Sequence, residues 1–560
     1  MSNTEKKNTF FGGAAILAIS SILVKLIGAV YRIPLGNILP EEVMADYNSA
    51  YNIYNFILTI STTGLPVALS KTISESHALN RKNQMRRIFW VAFFTFLIMG
   101  LLSFLCMTLL AAPLSEVVLS NPKAVYCVIA LAPSALCVCV MSAFRGFFQG
   151  QFNMVPTGIS QVIESTSKLI VGLALALYLV KVALKPDSSA VGAIIGVSTG
   201  SVVALAYMAV RFVRSKALQD MRGEDRPDSA GRILGKLLKL AIPITLGSAA
   251  SSLVTLLDNK LVMSQLRSIY ETVDGMASAA ALDAARELYG IYSNTMSIYN
   301  LPFSMMVPLT ACIIPAVSAS LSKKDQLGAR SISESALRVG LLVAMPMGMG
   351  LFALGGPIMQ LLYPAIDISV AGPLLSVLGL ASVFVALQLL CNSILQANGR
   401  VGLPILAVVI GGAVKLIVNY TLVGNPDIRI NGAPVGTLCC FAVIALLEIV
   451  IIYRLVPAAP RFGRAVGKPL IASAVMAAAA WACHGLADKL LRATDLFWKV
   501  NEQTGELYYS YAGSALATLI AIGAAVIVYV VLVLALRAIS REDLALMPKG
   551  EKIAKILHIR

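Results

Sequence analysis

Charged side chains stand inside several apolar runs of this chain, where a charge is costly. On insertion scales a Lys, Arg or Asp at mid-bilayer costs about 2.5–3.5 kcal/mol, so such residues persist where they face water, a partner or a charged cargo. Lys25 and Arg32 sit in the first run, about two helical turns apart and so on one face. Glu164 and Lys168 form an i,i+4 pair in the fifth, with Gln161 close by. Lys415 lies deep in the eleventh, with Asn419 one turn on and no acid in the same run. Asp258 and Lys260 close the seventh run; Arg286 and Glu287 open the eighth, which also carries Asn294 and Asn300. Lysines and arginines converging on a wet cavity would hold an anionic group such as a phosphate or diphosphate by charge-assisted hydrogen bonds. Two blander readings compete. Glu164 and Lys168 could neutralise each other, and Lys25 and Arg32 could snorkel to opposite interfaces.

Other chemistries lack their residues. No Gly-x-x-x-x-Gly-Lys-Ser/Thr motif exists; Gly235-Lys236 and Gly467-Lys468 lack the rest. Neither His-Glu-x-x-His nor Gly-x-Ser-x-Gly occurs. The histidines, His77, His484 and His558, are far apart, and the nine cysteines lie in apolar runs with no Cys-x-x-Cys spacing. The expectation is therefore no enzyme, no metal and no cofactor. Work would come from a coupling cation (Na+ or H+), the membrane potential or the substrate's own gradient. One charge crossing 100 mV is worth about 2.3 kcal/mol.

The elements that must position these residues are helices in a membrane. The 560 residues are 58% hydrophobic and 13% charged, with mean hydropathy +0.79; an average soluble domain is about 25% charged. Continuous apolar runs predict an all-α polytopic protein of about fourteen spans, since a β-barrel would show alternation. These are 10–35, 45–70, 88–111, 124–144, 156–180, 190–212, 236–257, 288–318, 336–356, 374–396, 402–424, 433–453, 468–487 and 511–536. Lys and Arg crowd the N-terminus, the even-numbered loops and the tail, which predicts cytoplasmic N and C termini. The net charge of +16 thus faces an anionic leaflet, and membrane lipids rather than nucleic acid are the partners it implies.

The spans read as one unit written twice. Lys168-Leu-Ile-Val171 returns as Lys415-Leu-Ile-Val418, and Gly192-Ala-Ile-Ile-Gly196 as Gly432-Ala-Pro-Val-Gly436. Upstream, Gln149 and Gln396 each sit in a Gly-containing segment read as a loop. Six spans per half make the two repeats parallel, related by an axis along the membrane normal. The predicted organisation is a bundle over 1–213, a flexible charged linker over 214–235 containing Arg222-Gly-Glu-Asp-Arg-Pro-Asp228, and a second bundle over 236–456. Two appended helices over 457–537, joined by a loop over about 488–510, precede a cytoplasmic tail over 538–560. Prolines punctuate the spans, three of them (Pro302, Pro308, Pro315) in the eighth, which suits a bent or gating helix.

Tyr31-Arg-Ile-Pro-Leu35, Gly64-Leu-Pro66, Arg145-Gly-Phe-Phe-Gln-Gly150 and Pro156-Thr-Gly-Ile-Ser-Gln-Val-Ile-Glu164, on spans arranged as six, six and two, resemble the polysaccharide-transporter branch of the multidrug/oligosaccharidyl-lipid/polysaccharide exporter superfamily. The likeness is nearest to the stage V sporulation protein B type, whose relatives include lipid II flippases, and it covers nearly the whole chain. The resemblance implies alternating access and a polyprenyl-diphosphate-linked saccharide as substrate, with the head group in a cationic cavity and the prenyl tail along the last two helices. It implies substrate contacts for Lys25, Arg32 and Asp46. Two further arginines of the family, in spans 2 and 8, find no counterpart; the eighth span reads Ser297-Ile-Tyr-Asn300. Lys168 and Lys415 are candidates to replace them.

The combined expectation is a bacterial cytoplasmic-membrane flippase for a cell-wall precursor such as lipid II, with cell-wall synthesis enzymes as candidate partners. Its candidate site is Lys25, Arg32, Asp46, Glu164, Lys168, Asp258, Asn300, Lys415 and Asn419. Three rivals stay open: a cation-coupled exporter of small amphipathic compounds, which would favour an acidic cavity; a membrane enzyme acting on polyprenyl lipids, which would need a loop site joining carboxylates to histidine; and a non-transporting scaffold for wall or spore-coat assembly, which would tolerate neutralisation of Lys25.

Overall fold

A computed structural model describes residues 3–151, 153–215, 223–400, 402–457, 459–494, 497–500 and 507–538. The predicted cytoplasmic tail beyond Ala538 and residues 216–222 of the linker lie outside them. The chain divides into two compact units, Met1–Gly290 and Ile291–Arg560.

The first unit holds α1 (Asn3–Ile38), α2 (Glu41–Thr62), α3 (Gly64–Ala78), α4 (Lys82–Leu109), α5 (Val125–Gly150), α6 (Val155–Lys181), α7 (Ser189–Arg214), α8 (Ala230–Thr272) and the first turns of α9 (Ser278–Ser322). The second holds the rest of α9, then α10 (Gln326–Ala353), α11 (Gly355–Leu362), α12 (Ile368–Ala397), α13 (Gly402–Val423), α14 (Gly432–Leu455), α15 (Phe462–Arg492) and α16 (Tyr511–Ala535). The predicted spans fall on helical chain, the second and the ninth (336–356) each across two helices. Among the described residues, 12 are long and apolar enough to cross a membrane, and the chain is a multi-pass membrane protein.

Several local expectations change. The second span is two helices, broken at Thr63; Pro66 in the first turn of α3 has no N–H to return to α2. Gln149 and Gln396 lie on helices, because α5 runs through Gly150 and α12 through Ala397. Helix α8 continues to Thr272, so Asp258 and Lys260 sit within it rather than at its end. Helix α9 runs unbroken from Ser278 to Ser322 through its prolines. The 488–510 segment contains a short antiparallel pair, β1 (Trp498–Val500) with β2 (Leu507–Tyr509).

Within the first unit α6 packs along α7 and α1, while α5 packs on α2, α3, α4 and α7. Helix α8 packs on α2 and α3, so the helix opening the second sequence repeat belongs to the first compact unit. A Tyr, Leu and Ile core joins α1, α2, α5 and α7; a Phe-rich core joins α3, α4, α5 and α7. In the second unit α12 packs between α10 and α14, α13 pairs with α14, and α15 with α16 and α10.

The repeated glycine pentads have a common structural cause. At Gly196 a Cβ would overlap the backbone of Gly172, so α6 and α7 approach backbone to backbone. At Gly436 a Cβ would overlap the side-chain amide of Asn419, so α14 leaves room for that residue of α13. Each pentad closes the hairpin of the helix that carries the deep lysine.

The linker is held where its composition predicts freedom. Asp225 accepts hydrogen bonds from the backbone N–H groups of Asn83 (2.8 Å) and Gln84 (2.9 Å), capping α4 from a distance. Gln84 donates to Asp228 at 2.9 Å and accepts from its backbone N–H at 2.6 Å, while Lys236 pairs with Glu75 at 2.7 Å. Burial pushes the Asp225 carboxyl up, but the Asn83 and Gln84 backbone donors, its own backbone N–H and the nearby Arg81 charge together outweigh it and hold the group below the usual carboxylate range.

Candidate functional site

A cavity of about 420 Å³ opens within the first unit. Lys25 of α1, Tyr51 and Tyr54 of α2, Arg145 of α5, and Glu164 and Lys168 of α6 line it. Two of the deep lysines thus share one space, and Lys25 is half-buried against that cavity. The lining carries three cations and one carboxylate.

Glu164 does not spend its charge on Lys168. Its ion pair is with Arg145, Nη2 to Oε2 at 3.0 Å, and Arg145 Nε also donates to Ser160 Oγ at 3.0 Å. Lys168 is held differently. Its ammonium donates to Tyr51 Oη at 2.9 Å and lies 4.6 Å from the Tyr31 ring centroid and 4.8 Å from that of Tyr51. Tyr47, Tyr51 and Tyr54 sit at i, i+4 and i+7, which puts them on one face of α2. Tyr47 and Tyr51 are 4.9 Å apart, and Tyr54 bonds Ser134 at 2.7 Å. Neither this tyrosine ladder nor Arg145 figures among the residues expected from sequence. The ladder's spacing was the signal, as was an arginine inside a stretch read as loop.

Arg32 turns toward α2, donating to Asn48 Oδ1 and stacking 5.1 Å from the Tyr47 ring. Asp46 is tied into a buried ion pair. Arg286 of α9 grips both its oxygens, Nε to Oδ1 at 2.9 Å and Nη2 to Oδ2 at 2.5 Å, and Asn121 donates to Oδ1 at 2.8 Å. Arg286 also reaches Asp283 at 2.7 Å, which Lys123 meets at 2.6 Å. Asp46 and Arg286 are each 4% exposed. Gly290 makes the crossing possible, since a Cβ there would overlap the backbone of Glu41 at the head of α2. Asp258 is buried on α8 beside Asn259, whose amide donates to Tyr289 Oη at 2.6 Å.

The other candidates belong to the second unit. Lys415 is 7% exposed and Asn419 is fully buried on α13; Asn300 is exposed on α9. In the same unit the Tyr292 hydroxyl meets Thr437 Oγ1 at 3.5 Å. One further acid, Glu448, is fully buried on α14. A lone glutamate in an otherwise apolar span was legible by the rule that flagged the lysines, and the expected site omits it. Among the described residues no cluster of three or more His, Cys, Asp or Glu could hold a metal ion.

Comparison with known proteins converges on one lineage. The family model described as "Polysaccharide biosynthesis protein" matches residues 10–321, and a MatE model matches residues 261–421. Three Bacillus subtilis (strain 168) proteins are similar. The uncharacterized membrane protein YabM is 27% identical over 99% of this chain and 98% of its own length. Stage V sporulation protein B is 25% identical, over 80% and 85%. The lipid II flippase MurJ is 23% identical, over 73% and 77%. A solved structure of a lipid II flippase MurJ in an inward closed conformation superposes with TM-score 0.65 at 14% identity, over 93% of this chain and 99% of that one. With its repeated helix hairpins, cation-lined cavity and matched family model, the chain belongs to the polysaccharide biosynthesis protein family and has the helical fold shared with MurJ.

Proposed function

We propose that the protein is a flippase that carries a polyprenyl-diphosphate-linked saccharide across the bacterial cytoplasmic membrane by alternating access. The observation that carries this reading is the cavity of the first unit. Arg145 pairs with Glu164, whereas Lys168, lining the same cavity, is held by tyrosines. Tyrosine faces hold the Lys168 ammonium without neutralising it, so it keeps an electrostatic pull on a diphosphate. The aromatic lining offers stacking surface to a sugar ring. Lys415 and Asn419 are proposed as a separate cargo contact within the second unit, and lipid II or a related cell-wall precursor as the cargo. The named activity of MurJ, similar in sequence and fold, supports this choice.

The test is reconstitution of the full chain in liposomes with fluorescent lipid II and a competing undecaprenyl-linked glycan. Protein-dependent movement of one of them between leaflets is expected. Replacement of both Lys168 and Lys415 by Met should abolish it while leaving expression intact; transport unchanged in that variant removes the lysines from the site.

A further inference from the structure

Glu448 stands apart from the cavity. It lies within α14, is 0% exposed, and neither carboxyl oxygen accepts a hydrogen bond from a described residue. The polar side chain beside it is Gln388 of α12, itself buried, and Cys391 is the titratable group facing it from that helix. Ile444, Ala445 and Ile452, one turn to either side on α14, are buried and apolar. On α13 the register is set by Gly411 against Cys440 and Ile444 and by Gly436 against Asn419. That register places Ala407 level with Glu448 and Lys415 level with Cys440, about 12 Å along the axis from the acid.

An ionised carboxylate in such a place would be a buried charge with no counter-ion among the described residues and a single neutral amide, Gln388, beside it, a state proteins avoid by neutralising the group. We propose that Glu448 is a proton-carrying site of the second unit. It holds a proton while α12 and α14 are packed as here, and releases it when that packing opens to water. Gln388 suits both states, because its amide can accept from the acid or donate to the anion. A proton bound in only one arrangement of helices lets a pH difference bias the conformational equilibrium. The coupling role rests on the transport reading above; the protonation does not.

Two measurements separate these levels. Infrared difference spectra of the purified full chain, wild type minus Glu448→Gln, should show the C=O band of a protonated carboxyl at neutral pH. Absence of that band overturns the proposal, and a shifted band in Glu448→Asp serves the same purpose should the Gln variant fail to fold. In liposomes with the membrane potential clamped, a one-unit pH difference can shift a fluorescent polyprenyl-diphosphate saccharide up to about tenfold per coupled proton. Wild type and Glu448→Asp should show the shift; Glu448→Gln, frozen as the neutral form, should move cargo without it. A gradient response that survives in Glu448→Gln, or is missing from an active wild type, defeats the coupling role. A wild type that moves no probe defeats the transport reading, and the infrared band still decides the proton site.

Discussion

Arg286→Met should damage the first unit, and Asp46→Asn added to it should repair most of the damage. Arg286 meets both oxygens of Asp46, at 2.9 and 2.5 Å, with both side chains 5–6% exposed. Truncating the arginine leaves Asp46, among the described residues, with the Asn121 amide as hydrogen-bond donor and only the more distant Lys123 charge. Removing one partner of a buried ion pair costs about 3–5 kcal/mol, whereas replacing both by neutral groups is often without cost. The intact pair therefore adds little net stability, and the single variant suffers because it strands a charge. Unfolding of the purified full chain in one detergent, at one scan rate, measures the difference. Losses should rank Arg286→Met well above the double variant. A single variant within about 1 kcal/mol of the parent, or a double variant no better than the single, would refute the reasoning. Should the double variant regain stability yet fail to move lipid-linked saccharide, Asp46 has a role in transport beyond this pairing.

Three further outcomes are expected. Lys168→Met should lower the liposome transport rate by about ten- to a hundredfold, the loss of one charge-assisted contact of about 1.5–3 kcal/mol, with Lys168→Arg recovering part of it; equal rates in all three would exclude the residue from the path. Gly196→Ala should cost about 1–3 kcal/mol by forcing apart two backbones that touch at Gly172, seen as a lowered unfolding temperature. Asp225→Ala should loosen the linker by about 1 kcal/mol, the usual worth of a helix cap, seen as faster proteolytic nicking near residues 223–228. Because the folded Asp225 carboxyl titrates below its unfolded value, its contribution is whole above about pH 4 and fades as pH falls further. Wild-type nicking that is unchanged down to pH 3 would contradict that assignment.

What the sequence made legible follows from where its signal is local. Apolar length located every helix that carries a predicted span, and the repeated Lys-Leu-Ile-Val and glycine pentads marked two matching hairpins, because helix crossing at Gly196 and Gly436 is a property of single residues. Pairing across elements was less visible. The i,i+4 spacing of Glu164 and Lys168 suggested mutual neutralisation, but Arg145 arrives from α5 with a planar fork that suits a carboxylate better. Nothing local to Asp46 foretold its pairing with Arg286, which α9 brings from a distant stretch of chain. Charge and proline content made 223–228 read as free, although one aspartate finding the bare N-terminus of α4 was enough to hold it.

The choice of partner for each cation carries the functional argument. A carboxylate beside an ammonium cancels its field within a few ångströms, and a cavity so balanced has nothing left with which to hold a diphosphate. An aromatic face works otherwise: its quadrupole stabilises the ammonium while the net charge stays whole. Arg145 has the first kind of partner and Lys168 the second. Adding an acid to the cage should therefore harm the protein in a way that removing a tyrosine does not. Tyr51→Phe keeps the ring and loses one hydrogen bond, so transport should fall modestly. Tyr51→Glu would give Lys168 an ion pair, and transport should collapse even where the variant is as stable as wild type. Comparable transport in the two variants would mean that the net charge of this cavity is not what holds the cargo.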